Sequence, residues 1–229
     1  MAIHQDSDPF YRLPTNSEVA REGCAEFAAL LHQLPQNARQ LFLGSAATKP
    51  HYTKFMDVWR CVAGISAEIA FESHILAAFP EEAFVEATQI LNTQTRHFLF
   101  YRTEKPPQFY HLFNLLAVRH VAMNYPEYFP GDVVTDTRAW LQHNWHVWAD
   151  GNSGNCIRYG LLSGFPLEAV LAFAANKNPT GKHLTWSTET HLSYFGVNAE
   201  KDDAYMEQLD AIFLQSSVKE LVAFRVQKP

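Results

Sequence analysis

Between residues 55 and 79, apolar side chains return every three or four positions, and no other feature constrains the fold of this chain as strongly. Val58, Val62, Ile65, Ile69, Leu76 and Phe79 mark the stripe. A stripe of that period belongs to a helix with one face against a core. Its length of about six turns predicts a central buried helix. Glu72 falls on the same stripe, with Glu68 one turn before it. A carboxylate on an apolar face requires a cation, a metal or a raised pKa. A salt bridge to Arg60, Arg119 or Arg158 is the simpler assignment for Glu72, and a catalytic acid is the other.

The remaining segments are mainly helical in pattern. Residues 1–14 carry Pro9 and Pro14 and read as an extended arm. Thr15-x-x-Glu18 offers a capping box for a helix running to Leu34, and Gln36 to Leu43 forms a shorter one. Pro80 opens a helix with Glu81 and Glu82 in its first turn. Residues 97–101 lean towards strand. Pro106-Pro107 is expected to restart a helix carrying Phe109, Phe113, Leu116 and Val121. Further helices are expected over 136–149, 154–163, from Pro166 to Asn176, and over 200–215. Residues 183–195 are ambiguous in pattern, with Leu184, Trp186 and the threonines alternating as in a strand, and 220–226 have strand composition. The expected fold is mainly α: one multi-helix domain over 1–229, with a small two- or three-stranded antiparallel sheet.

A hydrophobic fraction of 47% against 18% charged residues is ample for a packed core. The net charge of −6, without any basic run, disfavours nucleic acid and anionic membrane as partners. Asp57, Arg60, Glu68, Glu72 and His74 interrupt the most apolar stretch, so it is not a membrane span. Cys24, Cys61 and Cys156 are widely spaced and odd in number, which argues against a disulfide framework or a structural zinc site. With no signal-peptide pattern at the start, a cytoplasmic location is the expectation.

Possible chemistry concentrates in residues 139–166, AWLQHNWHVWADGNSGNCIRYGLLSGFP. On a helix, His143, His146 and Asp150 share one face, as two imidazoles and a carboxylate that suit Fe or Zn. The spacing lacks the glutamate of HExxH, and Asp150 also has a plain role closing a helix before Gly151. His111, His120 or Glu72 would complete the coordination. Cys156, near a helix start, is the candidate nucleophile, because unpaired backbone donors there favour a thiolate. Trp140, Trp145 and Trp148 with Arg158 would wall a small-molecule pocket. Calcium-loop, dinucleotide, phosphate-loop and nucleophile-elbow patterns are absent. Two functions follow: a small-molecule-binding helical protein, as a metal-dependent enzyme if the trio is filled, or a non-catalytic interaction module acting as a dimer or adaptor. A bound metal or a strongly shifted histidine would favour the first, and an exposed tryptophan patch the second.

Overall fold

The computed structural model describes residues 8–43, 51–71, 73–103, 109–148, 153–175, 183–187, 189–190 and 192–216. The fold is mainly α with two small antiparallel sheets. In chain order the elements are α1 (Ser17–Leu31), α2 (Gln36–Leu43), α3 (His51–Val62), β1 (Glu68–Phe71), α4 (Ser73–Leu76), α5 (Glu81–Gln94), β2 (Phe98–Arg102) and β3 (Tyr110–Asn114). There follow α6 (Leu115–Asn124), α7 (Asp132–Thr135), α8 (Thr137–Trp148), α9 (Ser153–Leu162), α10 (Leu167–Ala174), β4 (His183–Trp186), β5 (Ser193–Gly196) and α11 (Ala199–Gln215).

The stripe over 55–79 is not one helix. α3 ends at Val62, and Gly64, at φ +74°, reverses the chain. The Ile65 amide donates to the Arg60 carbonyl at 2.8 Å and the Gly64 amide to Cys61 at 3.0 Å, which is a Schellman stop with glycine in the left-handed position. α9 stops in the same way at Gly164, φ +88°, with Phe165 donating to Gly160 and Gly164 to Leu161. The two stops pack together: the Ala67 amide donates to Leu162 at 2.6 Å, and a Cβ on Gly164 would clash with the Ile65 carbonyl oxygen. Released from the helix, residues 68–71 become β1.

β1 and β2 both pair antiparallel with β3, in the order β1-β3-β2. Each face of this sheet meets a core. Ile69, Phe71, Phe98, Phe100, Tyr110 and Leu112 face one formed with α1, α2, α3, α5 and α11. Its centre is aromatic, with Phe27 at 5.1 Å from Phe98, and Phe100 at 5.4 Å from Phe71 and 5.2 Å from Tyr110. Leu99 and Phe113 face the other core, among Val118, Trp140, Leu141 and Leu161. The helix expected after Pro107 therefore begins only at Leu115, because residues 110–114 are the central strand. Asn114 makes that transition: its side-chain oxygen caps α6 through the Ala117 amide, and its NH2 donates to the Cys61 and Val62 carbonyls that end α3.

Two boundaries also shift. α1 is capped by Asn16, which accepts from the Glu18 and Val19 amides at 3.0 Å, whereas Thr15 is buried; the helix ends at Leu31, not Leu34. β4 and β5 pair antiparallel as a hairpin, with Leu184 opposite Phe195 and Trp186 opposite Ser193.

Candidate functional site

α8 turns Trp140 and Leu141 into the second core. His143 is exposed, with Nδ1 2.7 Å from the Ala139 carbonyl of its own helix. The side chains of Trp145, His146 and Trp148 and the whole of Asp150 lie outside the described residues, as does Glu72. Among the described residues, no three His, Cys, Asp or Glu side chains converge as a metal site would require. Trp140 is a core residue, and Arg158 donates from Nε to the Tyr128 carbonyl. Cys156, the fourth residue of α9, is a half-buried free thiol, while Cys24 and Cys61 are buried. His120 carries a lowered pKa, caused by burial alone.

The structure brings together a carboxylate–imidazole pair, buried on both sides, that sequence spacing did not join. Glu68 on β1 and His111 on β3 are both buried, with Oε1 2.6 Å from Nδ1. Because Ala70 faces His111 and Glu68 faces Phe113, the two are diagonal neighbours across the ladder, close enough for long side chains. They share the sheet face of Phe113, towards the second core. Glu68 also helps to push the Cys61 thiol well above its usual pKa, after burial itself, so that thiol stays protonated. No signal in the sequence joined residues 68 and 111, since their meeting depends on strand register.

A second polar centre surrounds Asp202 in the first turn of α11. The carboxylate is wholly buried. Oδ1 accepts from the Tyr194 hydroxyl at 3.0 Å and lies 3.2 Å from that of Tyr11; Oδ2 accepts from the Asn198 amide at 2.9 Å. His183 Nε2 is 3.2 Å from Oδ2. Tyr11 also donates to Glu168 Oε2 at 2.6 Å. Burial, followed by the neighbouring carboxylates, raises the pKa of both the Tyr11 and the Tyr194 phenol. Asn198 accepts from the Lys201 amide while Asp202 accepts from Asn198, a reciprocal cap one residue longer than the usual box.

The β4–β5 hairpin alternates strictly. Thr185, Tyr194 and Gly196 face inward, whereas Leu184 (64% exposed), Trp186 (59%) and Phe195 (63%) face outward. Phe173 at the end of α10, a helix that packs beside β5, is 76% exposed. Elsewhere a shallow cleft of about 190 Å³ is lined by Leu76, Glu81, Phe84, Arg102 and Tyr110. No described helix is long and apolar enough to cross a membrane. Comparison with known proteins finds no matching family model, curated protein or solved structure.

Proposed function

We propose that this chain is a protein-interaction module that pairs with a second copy of itself through the outer face of the β4–β5 hairpin. The observation that carries this is the exposure of Leu184, Trp186 and Phe195 together on one side of a two-stranded sheet. Large apolar side chains grouped on a surface mark interaction sites, and tryptophan and phenylalanine are enriched in interface cores. An isologous dimer needs only one self-complementary patch, and such twofold pairs are the commonest assemblies. A Leu184→Ser/Trp186→Ala double variant is expected to shift the chain from dimer to monomer in sedimentation velocity. A wild-type chain that sediments as a monomer at high micromolar concentration would overturn the proposal.

A second function, small-molecule binding with acid–base or metal-assisted chemistry, is supported by the Glu68–His111 pair. A buried carboxylate on one imidazole nitrogen fixes the ring and its tautomer, the arrangement that supports a general base or a metal ligand. Fe or Zn is the cofactor such chemistry would use, with His143, His146 and Asp150 as the proposed ligands and Trp140, Trp145, Trp148 and Arg158 as the proposed pocket wall. Glu72 and Cys156 are the proposed reactive groups. Metal analysis of untagged protein tests it: stoichiometric metal lost in His111→Ala or His143→Ala would support it, and protein that neither holds nor is stabilised by Fe or Zn would count against it.

A further inference from the structure

Residues 8–14 cross the surface without regular structure and are held by elements distant in sequence. The Leu167 amide at the start of α10 donates to the Phe10 carbonyl at 2.8 Å, completing a helix N-terminus that Pro166 leaves without a side-chain cap. Asn124 and Tyr125, at the end of α6, donate to the Leu13 and Arg12 carbonyls, and the Arg12 guanidinium donates to the Asn124 carbonyl. A cation at a helix C-terminus is favourably placed. Lys201 pairs with Asp8 at 2.6 Å. At the centre, the Tyr11 ring packs edge-on against Tyr205 at 6.1 Å, and its hydroxyl reaches Glu168 and Asp202.

The receiving surface does not depend on the strap for its shape. Asp202 is fixed by Tyr194 and Asn198, and Tyr205 by its hydroxyl bond to the Gly164 carbonyl at 2.9 Å. Withdrawing Tyr11 would therefore leave a preformed hole. Its floor is aromatic, its wall carries two carboxylate acceptors, and its rim has an unsatisfied helix N–H. That is the complement of an extended peptide presenting a tyrosine, with a basic residue after it to reach the end of α6.

We propose that Glu168, Asp202 and Tyr205 form a tyrosine socket, which holds Tyr11 of the same chain and accepts the identical segment of a second copy when that strap is released. The intramolecular strap competes at an effective concentration on the order of millimolar, so exchange requires a weakened strap or a crowded chain. The socket is independent of the hairpin face.

The test uses the full chain carrying Tyr11→Ala, titrated with a synthetic peptide of residues 8–15 and followed calorimetrically. Saturable one-to-one binding is expected, at least tenfold tighter than to the wild-type chain and unchanged by Leu184→Ser/Trp186→Ala. A peptide with phenylalanine in place of the tyrosine is expected to bind at least tenfold more weakly. A folded Tyr11→Ala chain that ignores the peptide, or binds both peptides equally, overturns the proposal. If Tyr11→Ala does not fold, hydrogen exchange of the Leu167 amide in Tyr11→Phe decides: faster exchange than wild type, slowed again by the peptide, supports the socket, and unchanged exchange contradicts it.

Discussion

The two sheets of this molecule are built on the same antiparallel principle and used in opposite ways. In β3 every residue from Tyr110 to Asn114 is buried, and helices cover both faces. In the hairpin, burial alternates residue by residue, and the outer side keeps Leu184, Trp186 and Phe195 in solvent. A sheet covered on both faces stabilises the fold and has no surface to offer. A sheet covered on one face keeps an exposed side that can carry large apolar residues. The hairpin carries them there, where polar residues would be the ordinary choice.

This contrast can be broken by substitution. Phe113→Ala, in the centre of the covered sheet, is expected to cost about 3–5 kcal/mol by equilibrium urea unfolding. His111→Ala removes the partner of a buried carboxylate and is expected to cost about 3 kcal/mol or more, with Glu68→Gln costing less because the amide keeps one acceptor. If His111→Ala costs under about 1 kcal/mol, Glu68 reaches water and the pair is not the buried element described. Tyr194→Phe removes one donor from Asp202 and is expected to cost about 2 kcal/mol.

A pH series sharpens the same contrast on the strap side. Burial, the largest influence, pushes the Tyr125 phenol from 10.0 up to about 12. Between those values the unfolded chain has released a proton that the folded chain retains. The contribution is thus complete below pH 10 and is lost as pH rises towards 12. Tyr125→Phe is expected to flatten the fall of unfolding free energy over that window by about 1.4 kcal/mol per pH unit. An unchanged slope would mean that the phenol ionises freely in the folded chain.

Legibility in the sequence followed the same division. The hairpin's alternation at Leu184, Trp186 and the nearby threonines was visible because one face is wet, but it left 183–195 ambiguous and did not separate the two strands. β1 and β3 were not readable, since strands buried on both faces lose the period of two. Ile65, Ile69 and Leu76 then mimic a helical stripe by chance of spacing. The one available correction was Gly64, a helix-stopping glycine just past an apolar run, and Gly164 repeats it. The Trp/His helix was placed well, yet its site is legible only in part: Trp140 is core and His143 is exposed. The Glu68–His111 and Asp202 centres arise from strand register and from contacts more than 150 residues apart in sequence, such as Tyr11 to Glu168 and Asp202. No local pattern encodes them.

The smallest stability effects are expected on the outer hairpin face, where Phe195→Ser should change folding free energy by no more than about 0.5 kcal/mol. That quietness is what allows the most direct test. Sedimentation velocity of wild type and of Leu184→Ser/Trp186→Ala, across a dilution series and with matched unfolding curves, separates association from stability. The expected result is a concentration-dependent dimer for wild type and a monomer for the double variant, with equal stability at dilutions where both are monomeric. A wild-type monomer throughout, or a dimer that survives the double substitution, would contradict the hairpin as the interaction face.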